Sequence, residues 1–273
     1  MKIYKYVPKP LKKYYKKFFW RVFYNYIGTV GIMRKTRFLN HGILEEEIEM
    51  RLNEFNPLLF RKLSQDLYLH LLKEATIDGK NYLEIGCGKG AGLDLLIDHY
   101  KPARCVGVDI SDTNIRFGRK LNKGNGVEFK RGDAEKQIFP DKTFDVVLNL
   151  ESSHCYASKL NFYKNVKAIL KDDGTFLYSD LFWYDHLTVE MEKQFEEVGF
   201  NIDKKEDITL SIIRSIELQA KIRTYYVKGK ISPNKKLSDM IALPGTPLYD
   251  GLKNGTIKYL FYVLKKNKCN EKL

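Results

Sequence analysis

NYLEIGCGKGAGLDLL, residues 81–96, runs a short apolar stretch straight into glycines. Tyr82, Leu83 and Ile85 predict a buried strand, and Gly86, Gly88, Gly90 and Gly92 follow at alternate positions. A loop lacking Cβ atoms turns tightly and lets a ligand touch the backbone. Leu93–Leu96 then opens a helix whose first N–H groups have no partner inside the helix. Strand-to-helix packing accounts for one or two such glycines, so four in alternation predict a loop shaped by a ligand.

Outward from this loop, strands and helices alternate. Strands are predicted at 104–110, 127–131, 144–150 and 174–179, with helices at 113–123 and 159–170 between them. Beyond Asp180 the pattern predicts a helix over 187–198, a strand at 200–203, a helical stretch over 208–226, a loop over 233–247 and a last strand at 256–265, placed at the sheet edge. Such alternation implies an α/β fold: a doubly wound, mostly parallel, seven-stranded sheet with an antiparallel edge strand and ligands at the carboxyl ends of the strands. Upstream, Pro57–Ala75 predicts a helix buried through Leu58, Leu59, Leu63, Leu67 and Leu71, and 44–52 an acidic helix.

The chain has 273 residues and a formal charge of +13, unevenly placed. Residues 1–40 carry eleven Lys and Arg and no acid, whereas 42–199 carry 27 acidic against 21 basic side chains. Basic ends on an acidic centre favour an anionic partner at one flank. Within 1–40, Leu11, Tyr14, Tyr15, Phe18, Val22 and Tyr26 recur at helical spacing with Lys12, Lys13, Lys16 and Lys17 across from them. That amphipathic extension either docks on an anionic membrane surface through residues 1–33 or packs on its own domain with a solvated lysine face. The run from Phe18 to Met33 is too short to span a bilayer and is broken by Arg21. The expected organisation is a helical extension over 1–40 and one domain over 41–273, with a substrate-facing insertion at about 204–250. Cys87, Cys105, Cys155 and Cys269 show no paired spacing, which suggests neither a zinc site nor a disulfide framework, so no metal is expected and a reducing, cytoplasmic setting is the simplest.

Three features join the glycine loop at the ends of successive strands. Asp109 lies where a carboxylate accepts bonds from two ribose hydroxyls, and Asp133-Ala134 where an adenine would lie. Phe144-Asp145-Val146-Val147 begins the fourth strand, and Glu84 sits at the loop itself. The set resembles class I S-adenosylmethionine-dependent methyltransferases. A nicotinamide dehydrogenase shares the glycines and the distal acid, but the carboxylates of Glu84 and Asp133 would oppose its pyrophosphate. NLESSHCY at 149–156, GDAE at 132–135, FDVV at 144–147 and FLYSDL at 176–181 are similar to the phthiotriol/phenolphthiotriol dimycocerosates methyltransferase family, enzymes that O-methylate a hydroxyl on a long-chain lipid.

The resemblance implies S-adenosylmethionine as cofactor and S-adenosylhomocysteine as product. The expected cofactor residues are Glu84, Gly86, Cys87, Gly88, Gly90, Asp109, Ile110, Asp133, Ala134, Asn149 and Glu151. His154, just past the fourth strand, is either the base that takes a proton from an alcohol or a histidine that merely holds its loop. Asp180 orients it, replaces it, or caps the next loop. Asn40, Ser153 and Tyr156 are expected at the substrate. Cys155 is assigned to packing or redox accident, because methyl transfer needs no covalent relay and neighbours in extended chain point apart. His41, His70, His99 and His186 are scattered singly and read as surface or structural. The acceptor is expected to be a small, hydrophobic, lipid-like or polyketide-like molecule. Rival readings are C- or N-methylation of a sterol-like or quinone-like ring, a nucleic-acid methyltransferase, and a non-catalytic lipid-binding scaffold.

Overall fold

Alternation in β1 (Asn81–Ile85) sends Tyr82 to one side of the sheet and Leu83 and Ile85 to the other, into two separate apolar cores. The computed structural model describes residues 8, 11–27, 29, 36–45, 57–183, 185–230 and 242–267. The remaining strands are β2 (Arg104–Asp109), β3 (Val127–Arg131), β4 (Phe144–Leu150), β5 (Leu170–Trp183), β6 (Phe200–Asp207) and β7 (Ile257–Lys266), in the order β3-β2-β1-β4-β5-β7-β6. β1, β2, β3, β4 and β5 pair in parallel. From β1 the chain winds outward to β3 and then returns to β4 on the other side. This switch point opens a crevice at the carboxyl ends of β1 and β4.

One core packs α2 (Pro57–Leu72), α3 (Ala91–His99), α7 (Thr209–Lys230) and α8 (Pro247–Lys253) on one face of the sheet, through Leu67, Leu96, Ile212 and Leu252 among others. The other packs α5 (Lys159–Ile169) and α6 (Asp185–Val198), through Phe162, Val166, Met191 and Phe195. α4 (Asp112–Leu121) lies along β2 and β3 and starts at Ser111, whose hydroxyl accepts from the Asn114 N–H. α1 (Lys12–Ile27) rests on α4 and on the turn after β4, across the mouth of the crevice.

Several expectations shift. Antiparallel pairing is confined to one side of the sheet, as expected, but the last strand is not the edge: β7 stands between β5 and β6, and β6 is outermost. β5 begins at Leu170, because Lys171-Asp172-Asp173-Gly174 forms an irregularity in the strand and not a turn before it. α8 falls after the predicted loop, where Pro247 is a first-turn residue. Leu58 is 70% exposed, so the buried face of α2 begins at Leu59. Leu44 and Glu45 are not helical, and the rest of the expected 44–52 helix lies outside the described residues, as do 233–241 of the expected loop.

α1 departs from one of its two readings, the one in which its apolar stripe packs on the domain and its lysine face is solvated. Of its predicted apolar stripe, Leu11, Tyr14, Phe18, Val22 and Tyr26 point outward, 49% to 67% exposed, and Tyr15 is half-buried. Lys16 and Lys17 turn toward the protein, Lys16 donating to the Tyr156 carbonyl and Lys17 pairing with Asp133 and Glu135.

Candidate functional site

Where β1, β2 and β4 end, a cavity of about 560 Å³ lies between the glycine loop below and α1 above. Gly86, Gly88 and Gly90 all hold positive φ, but their surroundings differ. A Cβ on Gly86 would strike Ser152 Oγ at 2.1 Å, one on Gly90 the Phe129 ring at 2.4 Å, and one on Gly92 the Tyr68 ring at 2.2 Å. Nothing lies within 4 Å of the Cβ position at Gly88. Close packing therefore accounts for three of the four glycines, more than the spacing suggested, and Gly88 alone opens onto free space.

Asp109, at the end of β2, lines the cavity and holds the loop. Its carboxylate accepts from the Gly88 N–H at 3.0 Å and the Ser111 N–H at 2.7 Å. Burial pushes it up to about 6 even with those bonds. Ile110, Asp133 and Ala134 continue the wall, and Cys87 completes it beside the loop. Asp133 does not stand free: Lys17 of α1 reaches its Oδ2 at 2.9 Å and Glu135 at 3.2 Å.

Other predicted residues sit back from the wall. Glu84 is 1% exposed beneath the loop, accepts from Tyr68 Oη at 2.8 Å and is pushed up to about 7 by burial. Asn149 is fully buried and donates to Ile85 O and Tyr156 Oη. Gly90 packs on Phe129, away from the cavity. Tyr156 does line it, with its hydroxyl held by Asn149 and Ser152, and so does Asn40, whose side chain fixes the Ser64 carbonyl and the Gly42 N–H.

Glu151 follows directly on β4 and is a non-glycine residue at φ 45°. This costly conformation turns its carboxylate into the cavity wall, where the Tyr259 hydroxyl (2.6 Å) and the His41 N–H (2.9 Å) donate to it. Burial pushes Glu151 up to about 7. Residues 153–155 then form a 3₁₀ turn. The extended chain assumed for His154 and Cys155 is thus absent, and both line the cavity.

His154 Nδ1 lies 2.7 Å from Asp180 Oδ1. Asp180 is fully buried behind it and also accepts from Ser153 Oγ, the His154 N–H and the Leu181 N–H. Ser153 therefore serves this carboxylate from behind, and Tyr178 and Tyr163 extend the buried hydrogen-bond chain. Burial alone would lower the His154 pKa, but Cys155 and Asp180 beside it outweigh that and raise it well above 6.5. His154 in turn holds Asp180 well below the usual carboxylate range against the effect of burial. The imidazole sits edge-on to Trp20 and Trp183, with ring centres at 6.4 and 6.5 Å.

Four cavity residues escaped the sequence pattern. Trp20 and Tyr24 reach the cavity from the inner side of α1, a side that periodicity had marked as solvated. His41 is buried in the wall, 3.8 Å from Glu151 Oε2, and not at the surface. Arg37 pairs with Asp94 of α3 through Nη1 at 2.7 Å, while its Nε and Nη2 are buried with no partner among the described residues. None stands in a local motif.

A family model described as a methyltransferase domain matches residues 83–178. The chain is 33% identical to a fatty-acid O-methyltransferase of Mycolicibacterium smegmatis, over 84% of this chain and 83% of that one. It is 29% identical to a phthiotriol/phenolphthiotriol dimycocerosates methyltransferase of Mycobacterium tuberculosis, over 74% and 75% of the two chains. Among solved structures, a geranyl diphosphate C-methyltransferase from Streptomyces coelicolor superposes with a TM-score of 0.70 at 13% identity, covering 92% of this chain and 98% of that one. At that identity the likeness concerns the fold alone.

Proposed function

Because the chain belongs to the class I S-adenosylmethionine-dependent methyltransferases, in the family of the fatty-acid and phthiotriol dimycocerosates enzymes, we propose that it O-methylates a hydroxyl group on a lipid-like small molecule, with His154 as the base. S-adenosylmethionine is the methyl donor; its sulfonium supplies an activated methyl group whose bond to sulfur breaks as the acceptor oxygen bonds to carbon. The cavity fits that molecule on three counts. Open space at Gly88 admits a ligand against the backbone, Asp109 offers a carboxylate for ribose hydroxyls, and the two unpartnered nitrogens of Arg37 suit the carboxylate of the methionine tail. Ile110, Asp133 and Ala134 would flank the adenine, and Glu151 the ammonium group.

The observation that carries the proposal is His154 on the cavity wall, paired with Asp180 buried behind it. An alcohol gives up a proton when it is methylated, and a carboxylate does not. An imidazole held by a buried carboxylate provides for that proton at the ring nitrogen Asp180 leaves to it. Trp20, Phe23 and Leu181 give the acceptor an apolar lining, and α1 keeps water from the reacting atoms.

The test offers a long-chain alcohol and a long-chain fatty acid with isotopically labelled methyl donor. Methyl ether from the alcohol is expected, and His154→Ala should lower its formation about 100-fold or more without changing S-adenosylhomocysteine affinity. Methyl ester from the acid alone, with His154→Ala fully active, would replace the hydroxyl with a carboxyl acceptor and retire the base.

A further inference from the structure

We infer that α1 is a membrane-docking element, whose outer face lies in the interface of an anionic lipid bilayer while its inner face roofs the cavity. Leu11, Tyr14, Phe18, Val22 and Tyr26 follow one another at intervals of three and four, so they form a single stripe. All five are 49% to 67% exposed, on a helix that is nonetheless anchored. Its other side is fixed by Lys17 to Asp133 and Glu135, by Arg21 to Asp112 at 2.8 Å, and by Asn25, whose amide oxygen accepts from Ser111 Oγ at 2.7 Å. The stripe is therefore not the core-facing side of a helix caught out of place.

Charge selects the occupant. Residues 1–40 hold eleven Lys and Arg and no acid, and among the described residues their ion pairs engage four carboxylates of the domain, those of Asp133, Glu135, Asp112 and Asp94. An anionic bilayer complements that excess and accepts aromatic and aliphatic side chains at its boundary. A second copy of the helix would set its five cations against five of its own kind. No described helix is long and apolar enough to cross a membrane, so the contact is lateral. Docking would place the cavity roof, with its own inward Phe19, Trp20 and Phe23, next to the phase in which a lipid acceptor dissolves.

Vesicle cosedimentation of the full chain tests this without cofactor or acceptor, so its result is independent of the methyltransferase reading. The wild type should bind vesicles of equimolar phosphatidylglycerol and phosphatidylcholine, and bind phosphatidylcholine alone much less. Phe18→Ser/Val22→Ser should weaken anionic-vesicle binding about 10-fold or more, with S-adenosylhomocysteine affinity retained. Leu210→Ser, which removes a 60% exposed leucine from α7, should leave it unchanged. Absence of wild-type binding, or equal binding by the double variant, overturns the proposal. So does a wild-type dimer that the double variant abolishes, which would give the stripe to a second copy.

Discussion

At the scale of single residues, protonation and unpaired donors make the sharpest statements. The raised pKa of His154 means that it carries a proton below that value and can act as a base only above it. Turnover should therefore fall as pH is lowered, with its acidic limb above the ordinary 6.5. Asp180→Asn should shift that limb downward while slowing turnover, and a limb that stays in place would separate it from His154. Arg37 offers a second test. Charge-assisted bonds are worth about 1.5–3 kcal/mol, so Arg37→Ala should weaken S-adenosylhomocysteine at least ~10-fold. The same substitution should leave 5′-methylthioadenosine, which lacks the carboxylate, unaffected in calorimetric titration. Equal loss for both ligands would assign Arg37 to the architecture of the loop. Arg37 and His41 could not be found from spacing, because their partners Asp94 and Glu151 lie 57 and 110 positions away.

At the scale of elements, α1 is a roof latched by side chains that periodicity had assigned to solvent. Lys17 bridges Asp133 and Glu135 from a site about a quarter exposed, where such pairs are worth roughly 0.2–1 kcal/mol. Lys17→Ala should therefore speed S-adenosylhomocysteine dissociation by only about 2- to 5-fold, read by stopped-flow competition. An unchanged rate would mean that the ligand leaves without disturbing the latch. The helix itself was legible from spacing, but its orientation was not. An amphipathic pattern normally turns its apolar side to the core; here the aromatic residues Trp20 and Tyr24, interleaved with lysines, make the inner contact instead. β7 teaches a similar lesson. Its residues read as a strand, but its place between β5 and β6 depends on pairings with segments 53 to 90 positions earlier.

At the scale of the whole molecule, three buried carboxylates oppose stability at neutral pH. Burial raises Glu84 and Glu151 to about 7 and Asp109 to about 6. A raised folded-state pKa gives stability that is full below the unfolded value and lost as pH rises through the folded one. The ligand-free protein should therefore lose stability as pH rises from about 4.5 toward 7. Thermal melts across that window should show the slope, and Glu84→Gln should flatten it; a steeper slope in the variant would contradict the assignment. The sequence by itself determined the alternating strands and helices, the glycine loop, the acids at successive strand ends and the NLESSHCY segment, because each rests on local periodicity or on residues close in the chain. Only the tertiary structure decided which loop glycine has open space beside it, which carboxylates sit behind the wall, and which face of α1 meets the cavity. Those depend on what packs opposite, and in this fold the opposing groups come from residues far away along the chain.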